Sequence, residues 1–195
     1  GLDEIVELES ENLFPMLKSS ELTGERAQNP TRFMLVTQRA VGQETADIQH
    51  KAPKTWDYLT SHATSLDNRA SSIYRNRPRF SIFGVGPYTF APWKVAISGF
   101  YKRLEFTKVG SHGGKPILLD DTAYFLSCQT EREADTLCAL LNSDTASAFF
   151  GAFIFWDSKR PITATILSKL NLAALAAESG LAGQVQQYLD QGSLS

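Results

Sequence analysis

The hydrophobic period of this chain changes twice along its length, and that change limits the folds open to it. Pro53 opens a stretch in which Trp56, Leu59, Ala63 and Leu66 recur at helical spacing, and proline is favoured at a first helical position. In Trp93–Ser98 the period falls to two: Trp93, Val95 and Ile97 face one way, Lys94, Ala96 and Ser98 the other. Thr130-Glu131-Arg132-Glu133 then reads as a capping box, and Ala134, Leu137, Cys138 and Leu141 return to the helical period. Helices, a cluster of strands, then helices again predict an α+β fold, with a small, mostly antiparallel mixed sheet flanked by helices.

Other elements follow from local signals. Phe33-Met34-Leu35-Val36 is a short apolar run suited to a buried strand, and a second helical piece is expected over about 67–75. Phe80-Ser81-Ile82-Phe83 reads as a strand ending in the turn Gly84-Val85-Gly86-Pro87. Gly99 permits a bend before a strand near 100–107, and Gly110–Gly114 reads as a mobile loop. One or two strands are expected in 117–127, interrupted at Asp120-Asp121, then an apolar helix over Ala146–Phe155 broken by Lys159-Arg160-Pro161. A final helix carries Leu181, Val185, Tyr188 and Leu189 on one face. The domain expectation is a main body over 1–172 with a helical tail, 173–195, packed on it.

With 195 residues and 43% hydrophobic content, the chain can bury the core of one domain, or of two small ones. No apolar run is long enough for a membrane span, and Gly1-Leu2-Asp3-Glu4 opens no signal peptide, so a cytoplasmic protein without a membrane partner is expected. Cys128 and Cys138 read as buried thiols in a reducing compartment. Neither they nor His50, His62 and His112 are spaced as metal ligands. No Walker A, HExxH or GxSxG sequence is present, and Gly84-Val85-Gly86 lacks the third glycine of a dinucleotide loop. No catalytic residue and no metal site are therefore assigned.

The formal net charge of −2 conceals an asymmetry. Residues 1–25 carry Asp3, Glu4, Glu7, Glu9, Glu11, Glu21 and Glu25 against Lys18 alone; residues 69–108 carry Arg69, Arg75, Arg77, Arg79, Lys94, Lys102, Arg103 and Lys108 against Glu105 alone. Cations interleaved with aromatic residues suit phosphate neutralisation and base contacts. The candidate DNA-binding residues are Arg75, Arg77, Arg79, Tyr88, Lys94, Lys102, Arg103, Lys108, His112 and Lys115. Base readers are expected in the loops around Tyr88 and Ser111-His112, where glycines allow close approach. Two alternatives remain at this level. One is a small Mg²⁺-dependent nuclease using Asp120, Asp121 and Glu105; the other is a protein-interaction module of a phage-defence complex.

The segment Ser71-Ser72-Ile73-Tyr74-Arg75-Asn76-Arg77-Pro78-Arg79-Phe80-Ser81-Ile82-Phe83-Gly84-Val85-Gly86-Pro87-Tyr88, continuing through Phe90, Pro92, Trp93 and Lys94 to Ile97, resembles the target-recognition region of N6-adenine DNA methyltransferases and fused restriction–methylation enzymes. Leu13–Leu22, the Pro53–Leu59 helix, Asp121–Phe125, Leu140–Ser143 with its "LNS" signature and Lys159–Ile162 follow in the same order. The resemblance covers about residues 11–172 and is similar in layout to the TaqI-like specificity domain. It implies a module that reads double-stranded DNA. The S-adenosylmethionine site and the Asn-Pro-Pro-Tyr motif beside the flipped adenine would lie in a missing N-terminal methyltransferase domain, so no cofactor is expected in this chain.

Overall fold

Strand β1 (Leu13–Leu17) runs through the point where the chain leaves one compact unit and enters another. The structure, a computed structural model, describes residues 3–23 and 27–190. Glu25 of the acidic stretch and residues 191–195 of the expected tail lie outside the described residues. The first unit comprises Gly1–Phe14 and Phe33–Phe90, the second Pro15–Arg32 and Ala91–Ser195.

The chain re-enters the first unit in β2 (Arg32–Leu35), which leads into α1 (Ile48–Lys51), α2 (Pro53–Ser61) and α3 (Ala63–Asp67). Pro53 occupies the start of α2 as the sequence predicts. The helical run then breaks at His62, and only a short 3-10 turn, Ser72–Tyr74, stands in the region expected to continue it. The acidic N-terminus is put to structural use. Glu9 accepts the Lys54 and Thr55 amides and the Thr55 hydroxyl, each at 2.8 Å, at the positive end of α2. Glu7 pairs with Lys54, and Glu4 lies 3.1 Å from His62.

Two sequence expectations are corrected in this unit. Phe33 is 59% exposed, so β2 is not a buried strand. Residues 80–83 form no strand, because Phe80 takes φ +61°. Side chains meet the backbone there instead: Thr37 donates to the Phe80 carbonyl at 2.7 Å, and Gln38 accepts from the Ile82 amide at 3.1 Å.

The second unit is organised by β3 (Trp93–Ser98), which lies between β4 (Thr107–Val109) and β8 (Ala123–Cys128), antiparallel to both. Both faces of β3 are covered. Val95 and Ile97 join one cluster with Phe106, Leu137, Leu140, Phe150, Val185 and Tyr188; Ala96 joins another with Leu17, Val109, Ile117 and Leu119. The first expected loop, 110–114, is a hairpin between β5 (Ser111–His112) and β6 (Lys115–Pro116). Gly113 and Gly114 both take positive φ, 58° and 76°, as a tight two-residue hairpin turn requires. The expected strand over 100–107 shrinks to β4, because the Ser98 hydroxyl accepts the Phe100 and Tyr101 amides and turns the chain. Next, β7 (Leu118–Leu119) pairs in parallel with the end of β1, Met16 opposite Leu118.

The capping box at Thr130 forms in both directions and opens α4 (Glu131–Leu141). Ser143 caps α5 (Asp144–Gly151), which starts earlier and stops sooner than predicted. Short α6 (Ala164–Leu167), α7 (Leu172–Glu178) and α8 (Ala182–Asp190) complete the unit. Leu175, Ala176, Val185 and Tyr188 of α7 and α8 enter the same core as α4. The protein is α+β, with eight helices and small, mostly antiparallel sheets among the described residues. No helix among them is long and apolar enough to cross a membrane.

Candidate functional site

The ten residues singled out by sequence fall into both units, and the structure gives them different chemistry. In the first unit, Arg79 is held by Asp67, with Nη2 at 2.8 Å, and the pair keeps the carboxyl below and the guanidinium above their ordinary ranges. Arg75 and Arg77 are exposed, and neither side chain makes a hydrogen bond or ion pair with a described residue. Tyr88 is half-buried. Its ring covers Gly86 so closely that a β-carbon there would stand 2.7 Å from Cε1. Gly86 therefore leaves room for the Tyr88 ring, whereas nothing stands within 4 Å of a β-carbon built on Gly84.

In the second unit Lys94 is wholly buried, and its ammonium donates to the Ala91 carbonyl at 2.8 Å. Burial pulls its pKa down to about 8. Lys94 is therefore a core residue and not a surface contact, because no phosphate reaches a side chain without solvent access. Lys108 is also structural: it bridges Glu131 at 2.9 Å and Asp135 at 2.6 Å, and stands 5.2 Å over the Trp93 ring. Hydrogen bonds to these two carboxylates raise its pKa. Lys102 lies 3.8 Å from Asp157, and Arg103 lies 3.0 Å from Glu105. All four groups are well exposed, and ion pairs of that kind are weak in water, so a phosphate can replace the carboxylate. His112 is exposed and Lys115 half-buried on the hairpin.

Sequence reasoning missed the surroundings of Lys102. Phe100 and Tyr101 are exposed on the turn after Gly99. The Arg160 guanidinium lies 4.6 Å from the Phe100 ring and donates to the Asp121 carbonyl at 2.7 Å. Its Nε is buried with no partner among the described residues. The signal was present in Lys159-Arg160-Pro161, but a helix breaker and a cation that stacks on an aromatic ring look alike in sequence.

The carboxylates proposed for a nuclease do not behave as a metal site. Asp120 accepts the Thr122 amide at 3.1 Å and the Thr122 hydroxyl, closing the turn between β7 and β8. Glu105 faces Arg103. Among the described residues no three His, Cys, Asp or Glu side chains are grouped to hold a metal ion. Gly84-Val85-Gly86 does not fit a nucleotide cofactor either: a short 3-10 turn follows it, and Tyr88 fills the space above Gly86.

The "LNS" segment has a clear physical role. Asn142 Oδ1 accepts the Phe106 amide and Nδ2 donates to the Phe106 carbonyl, both at 2.8 Å. Ser143 meanwhile caps α5 by accepting from Ala146.

The described surfaces are thus those of an α+β module with exposed cations and stacked aromatic residues. The chain is similar to a bacterial methyltransferase: it is 50% identical over 176 residues to the Type II methyltransferase M.NspV of Nostoc sp. (strain ATCC 29411 / PCC 7524). The match covers 90% of this chain, and the chain spans 37% of the length of that curated relative. No family model matches the chain.

Proposed function

We propose that this chain is the double-stranded DNA target-recognition portion of an adenine-N6 DNA methyltransferase of a restriction–modification system. The observation that carries this reading is the match to M.NspV, which takes in nearly all of this chain but only 37% of the relative. A portion that reads and a portion that methylates divide the labour of such an enzyme. The sequence here has neither the Asn-Pro-Pro-Tyr motif nor a cofactor glycine loop, so the chemistry falls to the other portion. S-adenosylmethionine would bind there and supply the methyl group. Each unit would offer DNA contacts of its own: Arg75 and Arg77 in the first, and Lys102, Arg103, His112 and Lys115 in the second.

The test is titration of a fluorescent duplex with the chain across a range of salt. Neutralising about four to six phosphates gives a log–log slope of roughly −4 to −5. Binding should be weak, since this chain spans 37% of the length of its relative. A slope near zero, or no binding at low salt, overturns the proposal.

A further inference from the structure

The turn Arg75-Asn76-Arg77 is anchored on both sides, and the arginines at its tip have no hydrogen-bond or ion-pair partner among the described residues. On the near side, the Arg69 guanidinium lies 3.7 Å from the Tyr74 ring while Nε donates to the Leu66 carbonyl and Nη1 to the Ser81 carbonyl, both at 2.7 Å. On the far side, Arg79 is fixed by Asp67, its carbonyl accepts the buried Thr45 hydroxyl, and Phe80 packs edge-on against Trp56 at 5.3 Å. Arg69 and Arg79 are thus consumed in holding the backbone. Arg75 and Arg77, between them, are exposed and bind no described side chain or carbonyl. Asn76, also exposed, sits at φ +57°, a tight-turn conformation that asparagine tolerates.

We propose that Arg75-Asn76-Arg77 is the base-reading element of the domain, inserted into the major groove of the target duplex. This inference rests on the DNA-recognition reading above and names the side chains that confer its specificity. The chemistry of the three residues argues for bases over phosphates. A guanidinium fork matches the N7 and O6 acceptors of guanine, and a carboxamide matches the N6 donor and N7 acceptor of adenine. Two arginines alone would serve phosphates equally well. The amide between them carries no charge and adds little to phosphate neutralisation, yet it completes a donor–acceptor pattern suited to base edges. Fixed flanks lower the ordering cost that a free loop would incur on binding.

The experiment selects duplexes from a randomised pool with the 195-residue chain, then titrates the enriched duplex and its single base-pair variants. The variants are Asn76→Gly, which keeps the positive φ and deletes the amide, and Arg75→Lys and Arg77→Lys, which keep the charge and lose the fork. At least one variant should lose discrimination at a single base pair by on the order of 10- to 100-fold, with the salt slope and thermal midpoint retained. Equal weakening on all duplexes, or unchanged preferences in all three variants, overturns the base-reading role. Salt-dependent binding by the wild type without any enriched sequence also overturns it, while leaving DNA binding intact. Absence of DNA binding by the wild type removes the DNA-recognition reading itself, and this inference with it.

Discussion

Lys94 places an ammonium group in the core of the second unit. This lysine, the second residue of a strand covered on both faces, keeps one hydrogen bond, to Ala91, in place of a hydration shell. Burial lowers its pKa from the ordinary 10.5 to about 8, so the folded state holds this proton less tightly than the unfolded chain does. Below pH 8 both states are protonated and the folded state bears the full penalty. Between about 8 and 10.5 the unfolded chain still binds the proton that the folded one has released, and stability rises with pH. Above 10.5 the penalty is gone; the whole effect is on the order of 3 kcal/mol. Cys128 works in the opposite sense, because burial pushes its thiol up to about 12 and favours the unfolded chain above pH 9. The diagnostic quantity is therefore the difference between Lys94→Met and wild type in urea midpoint. That difference should favour the variant at pH 7 and shrink as pH rises through 8 to 10.5. A difference independent of pH would mean that Lys94 is solvated in the native state. The sequence pattern misled at this residue because alternation places Lys94 on the face opposite Val95 and Ile97 but cannot reveal that this face is buried too.

At the scale of elements, the Asn142 clamp joins the end of α4 to the start of β4 through both polar groups of the Phe106 backbone. Phe106 is buried, so removing the clamp leaves its amide without a partner and its carbonyl with the Cys138 thiol alone, at 3.3 Å. Asn142→Ala should cost about 1–3 kcal/mol in chemical denaturation. Asn142→Asp keeps the acceptor and loses the donor, and should fall between the two. An alanine variant as stable as the wild type would show that water replaces the amide without loss. The elements legible in the sequence share one property: their signal is local. The capping box at Thr130, proline at the start of α2 and the alternation of β3 each specify their own backbone. The elements that were misread depend on distant partners. Phe80–Ile82 reads as a strand by composition, but its hydrogen bonds go to Thr37 and Gln38, more than forty residues away in sequence. Gly110–Gly114 reads as a loop, yet pairing of His112 with Lys115 makes it a hairpin. The candidate site was legible in the same measure. Composition located the cations, but whether each one pairs, stacks or stays free is decided by carboxylates such as Asp67, Asp135 and Asp157 that arrive from elsewhere in the chain.

At the scale of the molecule, the proposed division between recognition and chemistry makes a prediction that does not involve DNA. A methyl-donor site needs a glycine turn whose amides are open to the ligand, next to a helix long enough to add its dipole. The glycine turn Gly84-Val85-Gly86 leads through Pro87 into a 3-10 turn of four residues, with Tyr88 laid over Gly86. The large apolar cavity of about 730 Å³ in the second unit is lined mainly by Phe106, Phe125, Leu126, Phe150, Leu167 and Leu172, with few groups to pair with a charged sulfonium or an amino-acid carboxylate. Isothermal calorimetry of S-adenosylmethionine into the isolated chain should therefore show no saturable heat up to millimolar ligand, at a protein concentration where the salt-dependent DNA titration gives a clear signal. The two measurements together separate the outcomes. DNA binding without cofactor binding is the pattern of a recognition portion, whereas micromolar cofactor binding would place the methyl-donor site in this chain and return the catalytic role to it.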